Sequence, residues 1–184
     1  MKRRDASRPV IDTAEFARRG DSVGGVRAAR DFARLREALA SDRGEISWRL
    51  AGERHPRHEG GNDDTLLLTL SGEVDLQCTR CLQPVAVAIG ERRLFRLFAT
   101  EAQALREDAQ ADDFDALVGG TRFDPLALVE DEALLALPIA PRHGRCEPLE
   151  APGATASGEP GDAGSARANP FAALAAIKGR PPRR

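Results

Sequence analysis

The chain has 184 residues, 41% of them apolar and 30% charged, with a formal net charge of −2. That is enough for one core domain with tails, and no run approaches the roughly 18–20 apolar residues of a membrane span. Aromatics make up only 4%, with one Trp and no Tyr, so the core must be built mainly of Leu, Val and Ala, and platforms for stacking single-stranded bases are scarce.

The start, MKRRDASRPVID, is basic but has no apolar stretch of the kind a secretory signal carries. A cytoplasmic, reducing setting is therefore expected. The near-neutral total hides a segregation of charge. Residues 1–54 carry 13 basic and 9 acidic side chains, residues 55–164 carry 9 and 20, and residues 165–184 carry 5 and none. Two positive ends flank an acidic middle. Such ends suit RNA or can fold back on the acidic body.

Asp12 and Glu15 have capping-box spacing ahead of TAEFARR, a short helix expected to end at Gly20. A helix is also expected near 27–40, where Ala28, Phe32, Leu35 and Leu39 share one face. Arg27, Arg30, Arg34 and Arg36 spread over the rest of it. Ile46, Trp48 and Leu50 alternate with polar residues as in a half-buried strand. HPRHEGGNDD then reads as a polar loop holding His55 and His58. The clearest period-two run follows: Leu66, Leu68, Leu70, Val74 and Leu76 on one face, Thr69, Ser71, Glu73, Asp75 and Gln77 on the other. Gly72, in phase with the apolar face, suggests a bulge or bend. Val85, Val87 and Ile89 alternate again, and ERRLFRLFAT extends that strand or forms another.

Residues 101–115 hold six acidic side chains and read as a solvated loop or short helix. FDALV is a candidate short strand. Asp124 and Pro125 give an N-cap and first-turn pair for LALVEDEALLAL, with acidic charge expected near its favourable end and Pro138 as its stop. The acidic groups Asp112, Asp113, Asp115 and Glu130, Asp131, Glu132 make a poor divalent-metal site, because adjacent carboxylates do not converge from one element. Residues 147–168 are rich in Pro, Gly, Ala and Ser and read as a disordered linker. Asn169-Pro170 then caps a stub of about two turns with the stripe Phe171, Leu174, Ile177. A helix that short does not persist alone in water, so it should dock on this domain or on a partner.

The chemistry-bearing motif is Cys78-Thr79-Arg80-Cys81, between two strand patterns, together with His143-Gly144-Arg145-Cys146. The two pairs have equal spacing and use every cysteine in the chain. Cys78, Cys81, His143 and Cys146 are thus candidate ligands for one structural zinc: three thiolates and one imidazole fill a tetrahedral shell and leave no position open for a substrate. The alternative is three free thiols and a surface histidine. A redox dithiol fits less well, since such pairs sit at a helix N-terminus and the flanks read as strands. There is no Gly-rich phosphate loop, nucleophile elbow or His–Glu metalloprotease pattern, so no enzymatic activity and no small-molecule substrate are expected.

The segments DTAEFARRG, FARLREAL, LSGEVDLQCTRCLQP, LVEDEALLALPIAP, the following Cys146 and the terminal NPFAALAAIK, in this order, resemble the YceD family of large ribosomal RNA subunit accumulation proteins. The resemblance implies a non-enzymatic bacterial factor supporting synthesis, processing or stability of 23S ribosomal RNA. It assigns no role to the cysteines. The partner would be large-subunit ribosomal RNA, or a basic ribosomal protein or assembly factor. The candidate contacts are Phe171, Leu174 and Ile177, with Lys178, Arg180, Arg183 and Arg184. The alternative is a zinc-stapled protein-interaction module that does not touch RNA.

The expected architecture is α+β. An antiparallel, curled, barrel-like sheet from 45–99 and 114–123 is flanked by a few helices in a core domain, residues 1–146. The linker 147–168 and a docking helix with basic tail, 169–184, follow.

Overall fold

A computed structural model describes residues 9–56, 61–109 and 113–146. The linker 147–168 and the segment 169–184, with Phe171, Leu174, Ile177, Lys178, Arg180, Arg183 and Arg184, lie outside the described residues, as does His58.

The first helix, α1 (Thr13–Arg19), forms as its caps dictate. The Asp12 side chain accepts from the Glu15 N–H, and Gly20 ends the helix in the left-handed conformation at φ +66°. Strand β1 (Ser22–Ala28) follows at once. The helix expected near 27–40 is replaced by β1, a 3-10 turn (Ala29–Asp31), a single helical turn α2 (Leu35–Ala38) and the start of β2 (Leu39–Pro56). The reason is pairing. Residues 22–28 find seven register partners on β2, from Ser22↔Ala51 to Ala28↔Glu45, and the ladder takes up the backbone groups on that side while the other side stays open to water. Ala29, Phe32 and Leu35 are still buried, but from three different local structures.

Strands β2, β3 (Asn62–Gln77) and β4 (Pro84–Phe98) form two long antiparallel pairs. β2 and β3 reach further into the supposed polar loop than the sequence indicates, to Pro56 and from Asn62. The residues after Ile89 continue β4 as one strand. Gly72 is not a bulge: it stays in register with Ile46 and Ile89. A Cβ there would collide with the Glu45 carbonyl oxygen, so glycine is needed for close approach of two backbones. The irregularity lies instead on β2, between Leu39 and Gly44.

The sheet order is β1-β2-β3-β4-β5, an open sheet with β1 and β5 as its edges. The curled, barrel-like and wholly antiparallel sheet expected from the sequence is therefore corrected on both counts. It does not close, because one face is covered by helices rather than by its own far edge. It is mixed, because β5 (Asp115–Val118) runs parallel to β4. The chain between them passes through α3 (Glu101–Asp108), and a helical crossover returns the chain in the same direction where a hairpin would reverse it. β5 is also shorter than the expected 114–123, and Phe123 instead bridges to Ile11.

The core lies on one face of the sheet. Ile46, Trp48 and Leu50 of β2, Leu66, Leu68, Leu70, Val74 and Leu76 of β3, and Ile89 and Phe95 of β4 pack there with Phe16, Leu35, Leu126 and Val129 of the helices. The helix α4 (Pro125–Leu135), the last among the described residues, starts as expected, with the Asp124 carboxylate accepting from the Leu126 N–H and Pro125 in the first turn. Its acidic residues are not in the first turn; they sit in mid-helix and face arginines. Glu130 Oε1 accepts from the N–H groups of Arg34 at 2.6 Å and Leu35 at 3.2 Å, while the Arg34 guanidinium reaches Glu130 and Asp131. Glu132 lies 3.5 Å from Arg93, which also reaches Glu91 and Asp115.

Glu132 is buried, and burial pushes its carboxyl up, against the pull of Arg93 and with Asp115, Glu91 and Asp131 adding in the same direction. A carboxyl raised in the folded state favours folding fully only below its unfolded value, near pH 4.3, and loses that advantage as pH rises through the folded value. Glu132→Gln should therefore raise the melting temperature relative to the parent at pH 7, with the gain vanishing near pH 4. A gain that is the same at both pH values would contradict this assignment.

Candidate metal centre

Strand β3 ends at Gln77, and Cys78 opens the connection to β4. The turn is closed by Cys78 N–H to the Gln83 carbonyl at 2.9 Å and Leu82 N–H to the Cys78 carbonyl at 3.0 Å. Leu82 takes a left-handed φ of 59°, the sole non-glycine to do so among the described residues. This tight turn carries Cys78 and Cys81 on one side. After α4, Pro138 has ended the helix and an extended segment returns to the same turn. It is held by Thr79, whose N–H and hydroxyl both donate to the Pro141 carbonyl, at 2.9 and 3.3 Å. Two residues later His143 arrives, and Cys146 three after that.

The four candidate ligand atoms lie within 4.8 Å of one another. The Cys78 and Cys146 sulfurs are 3.9 Å apart, and Cys81 Sγ is 3.4 Å from His143 Nδ1. Zinc bonds of ~2.3 Å to sulfur and ~2.0 Å to nitrogen, at tetrahedral angles, put sulfur atoms about 3.8 Å apart and sulfur and nitrogen about 3.5 Å apart. The Cys78–Cys146 and Cys81–His143 separations agree with that shell. The cysteines are not joined as disulfides; Cys78 is buried, and Cys81, His143 and Cys146 are partly so.

The imidazole is oriented by its other nitrogen. His143 Nε2 is 2.9 Å from the Pro84 carbonyl oxygen. A carbonyl only accepts, so Nε2 carries the proton and Nδ1 presents a lone pair to the thiols. An outer hydrogen bond of this kind is the usual support of a metal-bound histidine.

The sulfur electrostatics are uneven. The backbone N–H of Cys81, then those of Arg80 and His143 and the His143 side chain, hold the Cys78 thiol down at about 5, against the opposing effect of burial. Cys146 is pushed up, first by burial and then by the neighbouring Cys78 and Cys81 sulfurs. Negative charge is thus favoured on Cys78 and opposed on Cys146, and a divalent cation at the centre would let the neighbouring sulfurs share the anionic form. The arrangement can bind and staple. With all four ligands supplied by the protein it has no open coordination position for catalysis.

Among the described residues, the other acidic and imidazole side chains named from the sequence do not converge with this cluster; Asp112 and His58 lie outside the described residues. Glu130, Asp131 and Glu132 are engaged with Arg34 and Arg93, and His55 faces Glu53 at 3.1 Å. Sequence reading missed Thr79, Pro84 and Pro141 as parts of the clasp. The last two act through backbone carbonyls, which carry no side-chain signal. It also placed Arg34 on the polar face of a surface helix, whereas Arg34 is bound to α4.

Fold and cluster define a small α+β protein in which a Cys3His group lies where the segment after α4 meets a sheet hairpin. The family model for large ribosomal RNA subunit accumulation protein YceD matches residues 66–178, and the chain belongs to the YceD family. The match takes in both halves of the cluster, from β3 onward, and runs past the described residues through Ile177 and Lys178. The DTAEFARRG and FARLREAL segments precede it. No solved structure matches this chain. The family's name ties the chain to accumulation of large-subunit ribosomal RNA. Among the described residues no helix is long and apolar enough to cross a membrane.

Proposed function

We propose that the protein is a non-enzymatic cytoplasmic factor that supports synthesis, processing or stability of 23S ribosomal RNA, and that its Cys78, Cys81, His143, Cys146 cluster binds one structural zinc. The family match over residues 66–178 is the observation that carries the first part. The ligand separations and the Nε2–carbonyl hydrogen bond support the second.

In this reading the zinc has no part in chemistry. It holds the segment after α4 against the β3–β4 turn and so fixes where the chain leaves the domain toward residues 169–184. Those residues remain the candidate partner contacts. The matched region extends to Lys178 and therefore includes Phe171, Leu174 and Ile177 as part of the family's own unit. Large-subunit RNA, or a basic ribosomal protein or assembly factor, is the partner class.

In host cells lacking the protein, the ratio of 23S to 16S ribosomal RNA should fall. The full chain should restore it, and a chain ending at residue 168 should not. An unchanged ratio in the deletion strain would sink the functional reading; full rescue by the shortened chain would sink the role given to the terminal segment.

A further inference from the structure

The face of the sheet opposite the core is bare over most of its area. Strand alternation and register place its side chains in rows. Gly24, Arg49, Thr69 and Arg92 form one row across β1 to β4. Val26, Ser47, Ser71 and Gly90 form the next, and Ser22, Ala51, Leu67 and Leu94 lie on the other side. Every residue of the first two rows is exposed. Val26 is 64% and Leu94 38% exposed, high for apolar side chains on a strand.

The arginines of this row are not taken up by carboxylates. Among the described residues the contact recorded for Arg49 is the Ser22 hydroxyl at 3.3 Å, and Arg92 makes no ion pair. This contrasts with the core side, where Arg34 and Arg93 are tied to α4. Two strand spacings separate Arg49 from Arg92, about 10 Å. Between and beside them are Gly24, Ser47, Thr69, Ser71 and Gly90, small residues that make a flat floor.

Arg49 also borders a cleft of about 520 Å³. There β2 runs on past the end of β1 beside the C-terminus of α1. Arg18, Arg19, Arg54 and His55 line the cleft with it, but these are held by carboxylates: Arg18 by Glu15, Arg19 by Glu15 and Asp21, Arg54 by Asp64, and His55 faces Glu53. The positive region is bounded at the clasp end of the same face by the row Glu45–Glu73. Arg49 and Arg92 are thus the arginines of this region that no carboxylate holds among the described residues.

The geometry points to this open face as a docking surface for an RNA strand, with Arg49 and Arg92 as its central contacts. The argument for RNA over protein is charge complementarity. Guanidinium groups with no carboxylate partner among the described residues, two strand spacings apart on a flat polar floor, fit a phosphodiester backbone. Guanidinium planes also stack on bases where aromatic side chains are missing, and Leu67 and Leu94 offer apolar contact to riboses. This inference rests on the proposed role in 23S ribosomal RNA accumulation and adds the site of direct contact.

The test is filter binding of the full-length protein to 23S ribosomal RNA transcribed in vitro, across a salt series. The variants are Arg49→Gln/Arg92→Gln and, as a control on the helix side, Arg36→Gln. Both arginines of the pair are exposed, and an unchanged melting temperature confirms folding. The double variant should bind about tenfold more weakly, and the slope of log K against log salt should fall by roughly 1.4, two contacts at ~0.7 each. Arg36→Gln should match the parent. Equal binding by parent and double variant would overturn the surface. So would a parent that does not bind the RNA, as in a protein-interaction module without RNA contact. Neither result would touch the functional reading, which the cellular 23S to 16S ratio decides separately.

Discussion

Cys78→Ser protein, purified without chelators, should carry less than a tenth of the zinc of the parent chain, which should hold close to one zinc per molecule. Its melting temperature should fall by about 10 °C. The magnitude follows from linkage. A ligand present at 100–1,000 times its dissociation constant stabilises the folded state by about 2.7–4.1 kcal/mol, and in a domain of this size 1 kcal/mol moves the midpoint by roughly 2–4 °C. Cys78 is the ligand to remove because it is fully buried and its sulfur receives the backbone N–H of Cys81. A strong chelator added to the parent should bring it down to the variant's midpoint, and should not move the variant further. Cys146→Ser, at a partly exposed position, should lose the metal too and guards against a packing effect at Cys78. A parent that is metal-free yet fully folded after gentle purification would remove the zinc from the account. The thiols would then be three free cysteines beside a histidine.

Glu130→Ala should cost about 3 kcal/mol of folding stability and lower the midpoint by about 8 °C. In the sequence this residue belongs to an acidic run on a surface helix. In the fold it is 7% exposed and its Oε1 serves as the acceptor for two consecutive N–H groups, those of Arg34 and Leu35, at the start of α2. The single turn of α2 has no cap of its own, so a carboxylate from 96 residues away does that work. Removing it strands two donors, at about 1–3 kcal/mol for each one left buried without a partner, and frees Arg34 from one of its two carboxylates. Asp131→Ala is the comparison. It deletes an ion pair in which both side chains are half exposed and should cost under 1 kcal/mol. Urea denaturation of the two variants separates these outcomes; similar small losses in both would show that Glu130 is not a cap.

Short-range signals survived into the structure. Asp12 and Gly20 bound α1 as their types require, Asp124 and Pro125 start α4, and the alternation from Leu66 to Leu76 is the central strand with its apolar face inward. The equal spacing of the two ligand pairs was likewise visible in the chain itself. Each of these depends on residues within about ten positions of one another.

Misread segments were those whose state depends on something distant. The arginine-rich stretch 27–40 has helical periodicity, but its first residues pair with β2 and the rest is broken around Phe32 and Leu35. Gly72 looked like a bulge because alternation cannot show that the Glu45 carbonyl of the next strand occupies the space of a side chain. The direction of β5 followed from the path of α3, which no local pattern encodes.

By itself, then, the sequence determined the caps, the inward face of the long strands and the set of thiol and imidazole residues available to a metal, because each rests on local stereochemistry and composition. Only the tertiary structure decided that the sheet stays open, that Glu130 caps a remote turn, and that Arg49 and Arg92 share a row on a bare face. It also brought Cys81 to within 3.4 Å of His143, 62 residues along the chain, through the turn at Thr79 and Pro141. Convergence of that kind is fixed by strand register and backbone hydrogen bonds between distant segments, and these form only when the whole core packs.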